Sequence, residues 1–365
     1  MINDIQSVKD RINSGILSLE KRSCVGGRDL YVIKRSVESF VVLKEIQNDI
    51  KNAYNLKLSS RFEVLNQVTK VLEDGSPKVV VVTDLKQFHE SIPQDRILSR
   101  LKNEAILHPL SLDVISKVLD DYRIKSGSVT GLPRGVGFSM YLAELYLKDV
   151  DDKIKNLPGV VSYSRFVDDM FIVFSSPWGV KRDYLKEIKD VVEAPFGLEF
   201  NEQKTCLFDL TRYGHRQVMN YLGYQISFGN AQPINIRITA RKLDKYKKRI
   251  DLTFESYLNF SKINEKKARK VFVKRIRFLT GNTRLLNDGN VLAGIYFSNS
   301  FLNDISDLTF LDQYLTAKIE ALIHLPQLKD RLKKFSYIRG FQERRFSPFS
   351  TMDLNKIIEI WKNEV

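Results

Sequence analysis

The chain has 365 residues, 43% of them hydrophobic and 28% charged, enough for a sizeable core in about one to three domains. Its 58 Lys and Arg outweigh 44 Asp and Glu, and the formal charge of +14 points to a polyanionic partner, nucleic acid ahead of a membrane surface. Two cysteines, Cys24 and Cys206, exclude a disulfide framework, and with only four scattered histidines they exclude a zinc site.

The polar start, Met1 to Gln6, has no signal-peptide core, and no apolar run approaches the ~20 residues that span a bilayer, so a reducing cytoplasm is expected and a membrane partner is not. Residues 1–60 read mainly as helix, with Ile5, Val8, Ile12 and Ile16 at helical spacing. A Gly26-Gly27 break precedes a strand candidate at Leu30 to Ile33. Helical spacing resumes from Val37 to Ile50 and again from Arg61 to Leu72. Lys78 to Thr83 is a buried strand by its four valines. Residues 93–122 carry a helical pattern with Pro93 near its start, Gly127 to Gly137 form a loop, and Ser139 to Leu157 form a helix. A helix over 181–192 and short strands near Leu198 to Phe200 and Tyr221 to Ile226 follow. From about Pro233 the texture becomes helical and basic: residues 241–277 hold fourteen Lys/Arg against four Asp/Glu, with Leu243, Tyr246, Ile250, Phe254 and Tyr257 as an apolar stripe. Gly281, Gly289, Gly294 and Gly340 are expected breaks.

One stretch organises the rest. Between the β-prone runs Ser162 to Phe166 and Met170 to Phe174 sit Asp168 and Asp169, which places two acids at the tip of a hairpin. Adjacent carboxylates repel unless a cation intervenes, and hard oxygen ligands suit Mg²⁺. A solvated Asp-Asp turn is the plainer reading of the pair alone. Asp84 follows the buried strand directly, and an unpaired acid there is costly to bury, so it is expected to emerge beside polar groups or a metal. A third carboxylate would complete the ligands for two cations acting in phosphoryl transfer. A helix cap or turn residue is the alternative for Asp84.

At this point the residues resemble a known family. Asp84-Leu85-Lys86-Gln87-Phe88-His89-Glu90-Ser91-Ile92 resembles the first metal-binding motif of reverse transcriptases. Gly131-Leu132-Pro133-Arg134-Gly135, with Ser139 and Leu142 to Leu147, resembles the next motif. Phe166-Val167-Asp168-Asp169 matches the aromatic-X-Asp-Asp motif. Gly197 to Thr205 resembles the motif after it, and Tyr221-Leu222-Gly223-Tyr224 the primer grip. Five motifs in order across 84–224 are far more specific than any one. Phe88-X-Glu90-Ser91-Ile92 and Arg61-Phe62-Glu63 are similar to the abortive-infection and "unknown group" bacterial enzymes of phage defence, with retron enzymes as close runners-up.

The resemblance implies an α+β right-hand polymerase: mostly helical fingers at about 1–75, an antiparallel-sheet palm at 76–232 and a helical basic thumb at 233–365. It implies RNA-directed DNA synthesis with two Mg²⁺ ions, or Mn²⁺ in their place. Asp84, Asp168 and Asp169 would hold the metals, and Lys204 would act as general acid or charge stabiliser. Leu85, Phe88, His89, Arg61 and Gly135 would lie at the nucleotide. Gly131, Arg134, Leu222, Gly223, Lys247, Lys248 and Arg249 would contact nucleic acid. The expected partners are an RNA template (a dedicated non-coding RNA among the candidates), the DNA product, dNTPs, and a partner protein or second copy. Template-independent or protein-primed synthesis, a cyclase or RNA polymerase on a similar palm, and a non-catalytic nucleic-acid scaffold stand as alternatives.

Overall fold

A computed structural model describes residues 17–23, 29–34, 36–176, 182–211, 216–229, 232–285, 291–322 and 325–361. The helical spacing at 5–16, the break at Gly26-Gly27, Cys24 and Gly289 lie outside them. The chain is α+β and divides into two compact units, Met1–Gly214 and His215–Val365.

The first unit opens with an antiparallel pair, β1 (Leu19–Ser23) and β2 (Asp29–Ile33). Helix α1 (Val37–Ala53) and helix α2 (Arg61–Glu73) each begin at a capping box, Ser36 with Ser39 and Ser60 with Glu63. The valine run is β3 (Lys78–Asp84), buried along its whole length. A single turn of helix, α3 (Phe88–Ser91), leads to α4 (Gln94–Glu104) and α5 (Pro109–Ser126). The pattern over 93–122 is therefore two helices. Ala105 adopts a left-handed conformation (φ +48°) that ends the first, and Pro109, which needs no amide partner, begins the second. Helix α6 (Ser139–Lys155) precedes the hairpin of β4 (Val160–Phe166) and β5 (Asp169–Ser175). Helix α7 runs Tyr184–Phe196, later than the 181–192 expected, and stops at Gly197, whose φ of +65° suits a glycine cap. The fourth strand of the sheet is β6 (Cys206–Asp209); Phe200 makes only an isolated bridge to Leu85.

These strands form one antiparallel sheet in the order β4-β5-β3-β6. Side chains alternate between faces, and directly opposed residues share a face. The register β3·β5 pairs Val79 with Phe174, Val81 with Ile172 and Thr83 with Met170. That face joins the main core beneath α4 to α7. Val80, Val82, Phe171 and Val173 take the other face, and at its end so do Asp84 and Asp169.

The second unit begins with a three-stranded antiparallel sheet, β7 (Gln217–Tyr221), β8 (Tyr224–Gly229) and β9 (Gln232–Ile238). The single strand expected over Tyr221 to Ile226 is in fact the corner of a hairpin. Leu222 (φ +45°) and Gly223 (φ +78°) form its two-residue turn, the double left-handed geometry that matches strand twist. Helices α8 (Ala240–Ser261) and α9 (Glu265–Thr280) follow, then the hairpin β10 (Asn282–Leu285) and β11 (Val291–Gly294), then α10 (Ser306–Glu320), α11 (Pro326–Leu332), α12 (Tyr337–Gln342) and α13 (Thr351–Ile358). Of the apolar stripe of α8, Phe254 and Tyr257 pack on Phe272 of α9, with ring centroids 5.0 and 4.5 Å apart. Gly340 is not a break but lies inside α12, because a Cβ there would collide with the carbonyl of Thr280. No described helix is long and apolar enough to cross a membrane.

Candidate active site

The β3·β5 register sets the site. Asp84, last residue of β3, is the direct partner of Asp169, first residue of β5. Asp168 occupies the turn between β4 and β5, which closes with Phe166 opposite Asp169. The other turn residue, Val167, has φ +58°, a left-handed conformation that β-branched residues rarely adopt and that costs about 1–3 kcal/mol. The three acids named from the sequence are thus brought to one end of the sheet.

The segment after α7 clamps this end. The amide of Asn201 donates to the carbonyl of Asp84 (2.8 Å) and that of Lys86 to the carbonyl of Glu199 (2.7 Å), while the hydroxyls of Thr83 and Thr205 meet at 2.7 Å. This clamp delivers Lys204, whose ammonium pairs with Oδ2 of Asp84. Asp84 is 6% exposed, and its Oδ1 is buried with no hydrogen-bond partner. An orphaned carboxylate oxygen costs about 1–3 kcal/mol, so a ligand for it is expected. Burial, then the charges of Asp168 and Asp84, push the Asp169 carboxyl up to about 6, with Lys204 opposing.

Among the described residues no three Asp, Glu, His or Cys side chains converge tightly enough to make a ready-formed metal site. Mutual repulsion of the acids opposes such closure without a cation, and Lys204 already holds one oxygen of Asp84. The donor set nevertheless fits a hard divalent cation: all ligands are carboxylate oxygens, one is buried without a partner, and Asp169 resists ionising beside its neighbours.

The raised Asp169 carboxyl makes a prediction. A folded-state value near 6 against an ordinary 3.8 means that the folded protein holds this proton more firmly, so the contribution to stability is full below about pH 4 and is lost as pH rises through 6. The loss is on the order of 2–3 kcal/mol. In chelator, thermal unfolding of Asp169→Asn should lack this decline and should exceed the parent's above about pH 7. Parallel pH profiles for the two proteins would refute the assignment.

Leu85 and Phe88 are 2% and 1% exposed, so their side chains belong to the core, and the Lys86 amide is spent on Glu199. His89 is partly buried, with its Nδ1 unpartnered, against Phe88 at 5.3 Å between ring centroids. Burial, reinforced by Arg134, lowers its pKa against the pull of Glu90 and Asp168. Arg134 grips Glu90 through two bonds of 2.6 and 3.0 Å. Gly131 (φ +96°) and Gly135 (φ +99°) were expected to admit nucleic acid closely. Their near neighbours are the protein's own atoms: a Cβ would meet the backbone of Glu90 at 3.0 Å or the carbonyl of Tyr31 at 2.9 Å. Arg61 stands at the start of α2, whose Gln67 donates to the Ser162 hydroxyl of β4 (3.1 Å).

Leu222 and Gly223 form the β7-β8 turn of the second unit. Of the three basic residues singled out on α8, only Lys248 is exposed. Lys247 lies over the rings of Phe310 and Tyr314, and Arg249 over Trp361. Two of the three thus pack inside their own unit.

Sequence reasoning passed over Arg165. Its side chain is 3% exposed and bonds both oxygens of Glu144, both of Asp151, and the carbonyl of Val167 at 2.8 Å. The hydroxyl of Tyr163 joins Asp151 at 2.6 Å. A charged residue inside a β-run, three places before Asp168, was the available signal, since buried charge demands partners.

Residues 31–226 match the family described as "Reverse transcriptase (RNA-dependent DNA polymerase)". No curated protein matches. Among solved structures, the apo telomerase of Candida tropicalis is similar at 14% identity and a TM-score of 0.45, covering 98% of this chain and 67% of that one. The telomerase of Candida albicans in complex with a TWJ fragment of telomeric RNA is similar at 11% identity and a TM-score of 0.40, covering 98% and 68%. A Candida tropicalis telomerase truncated from its C-terminal domain aligns over 61% of this chain at 14% identity and a TM-score of 0.39. This chain spans 54% of the length of that last structure.

Proposed function

The chain belongs to the reverse transcriptase family, and we propose that it is an RNA-directed DNA polymerase in which Asp84, Asp168 and Asp169 hold the divalent ions that such domains use, two Mg²⁺ ions. The observation that carries this reading is the register opposing Asp84 to Asp169 beneath the Asp168 turn, with one Asp84 oxygen left unpartnered. Such ions, when bound, would supply activation of the primer hydroxyl and charge stabilisation of the leaving oxygen of the dNTP. The chain's own residues do the rest. The sheet fixes the acids, the 199–205 clamp fixes the Asp84 backbone, and Lys204 holds a positive charge beside the acids, where it can neutralise or protonate the departing pyrophosphate. Fingers, palm and thumb at 1–75, 76–232 and 233–365, an RNA template, a DNA product and dNTPs belong to the same proposal. So does a role in bacterial antiphage defence in the cytoplasm, supported by the resemblance of Phe88 to Ile92 and Arg61 to Glu63. Extension of a primer on RNA with labelled dNTPs and, separately, NTPs tests the chemistry. Incorporation of neither would refute it.

His89 is the proposed sugar gate. Phe88, the alternative, is sealed in the core, whereas the half-buried imidazole feels the charge of Asp168. The ring is smaller than the phenol or phenyl usual there and can hydrogen-bond a hydroxyl. His89→Tyr should sharpen the preference for dNTPs and His89→Ala should blunt it, each by about 1–3 kcal/mol in relative kcat/KM. Three equal ratios would place sugar selection elsewhere.

A further inference from the structure

The second unit carries a cleft that the polymerase chemistry does not use. It is a cavity of about 270 Å³ between the end of α9, the start of β10 and the segment after α12, lined among others by Arg277, Phe335, Ser336, Arg345, Phe346 and Ser347. Phe346 leaves a large ring 48% exposed. That ring is nonetheless held on a fixed backbone: Phe346 bridges Asn282, whose amide donates to the Arg345 carbonyl (2.8 Å) and whose carbonyl accepts from Ser347 (2.7 Å). The Asn282 side chain, itself 2% exposed, bonds the carbonyls of Gly340 and Arg345. Arg277 is exposed on the rim, and among the described residues no acid pairs with it. Arg345 reaches the carbonyl of Lys334 at 3.3 Å and pairs with Glu343. The two cations of the lining are thus Arg277 and Arg345.

We propose that this cleft binds single-stranded nucleic acid, with a base stacked on Phe346 and the flanking phosphates held by Arg277 and Arg345. A rigid, exposed aromatic within a cationic rim is the arrangement that takes unpaired bases without reading sequence. An acidic peptide could use the cations but gains nothing specific from the ring face. The family assignment supplies only the class of partner; the lining of the cleft includes none of the three carboxylates.

The test is fluorescence anisotropy of the full chain with a labelled oligouridylate of about 12 nucleotides, across a salt series. Phe346→Ala should weaken binding about fivefold or more with the salt slope unchanged, because stacking releases no counterions, and Phe346→Trp should restore it. Arg277→Ala should weaken binding and reduce the slope by about 0.7. All three variants should extend a pre-annealed primer at the parental rate, which separates loss of this site from failure of the polymerase reading. Unchanged affinity and slope in Phe346→Ala and Arg277→Ala would overturn the proposal. So would an oligoglutamate that binds the parent as tightly as the RNA and is lost equally in Phe346→Ala.

Discussion

Replacing Asp168 by Ala is expected to reduce dNTP incorporation by about a thousandfold or more, with the protein still folded. Asp168 sits in the two-residue turn at the hairpin tip, outside the strand ladder, so its removal breaks no strand pairing. It also removes one of the two neighbouring charges that hold the Asp169 carboxyl high, so the unfolding temperature in chelator should stay level or rise. Asp84→Asn should be equally inactive for a different reason. It keeps the shape of a side chain that is 6% exposed but surrenders the ion pair with Lys204 and the anionic oxygen left for a cation. Steady-state extension together with a melting curve reads both effects. An Asp168→Ala protein with parental activity in Mg²⁺ would end the metal-ligand assignment, and an inactive but unfolded one would be answered by Asp84→Asn.

Arg165 carries the second large effect. Glu144 and Asp151 are both mostly buried, and the guanidinium is the cation that compensates them. Arg165→Met strands two acids, a loss of about 3–5 kcal/mol that should lower the melting temperature by roughly 10 °C. Arg165→Lys keeps a charge yet cannot bond Glu144, Asp151 and the Val167 carbonyl together, since an ammonium is a point donor and not a planar fork. The Lys protein should therefore recover most of the stability while kcat stays at least about tenfold low and the KM for dNTP moves little, because Val167 would no longer be held in its left-handed pose. This split distinguishes positioning from support of the fold. If Arg165→Lys restores kcat and stability in parallel, the residue is structural only.

Residues whose partners are close in sequence were readable in advance. The hairpin from Val160 to Ser175 announces itself because two β-branched and aromatic runs flank two acids, and the valines of β3 leave no other assignment. The capping boxes at Ser36 and Ser60 mark helix starts by the same local chemistry. What escaped depends on distance along the chain. Lys204 was placed at the site by its motif, but its contact with Asp84, 120 residues away, is specified by neither neighbourhood. The partners of Arg165 lie 14 and 21 residues upstream on α6, and only the return of β4 beside that helix joins them. Tyr221 to Ile226 has a strand's composition, and the left-handed turn at Leu222 is set by the pairing of β7 with β8 against the residue's own preference. Lys247 and Arg249 look like solvated charges in one dimension. Their aromatic partners are supplied by α10 and by Trp361, far along the chain.

The seven consecutive pairs from Lys78–Ser175 to Asp84–Asp169 tie the reacting end of the sheet to its interior. A slip of one residue between β3 and β5 would part Asp84 from Asp169, and it would also turn Met170, Ile172 and Phe174 out of the core. Misalignment of the acids is therefore opposed by the cost of repacking both faces of the sheet, since Phe171 and Val173 on the other face are buried as fully as those three. A chain damaged in this way should be lost to aggregation or proteolysis before it could persist as a soluble protein that copies badly. Variation that tunes the enzyme while keeping it soluble is accordingly confined to the rim of the strands, at the turn, the clamp and the loop carrying His89, and the valine run itself offers selection almost no intermediate steps.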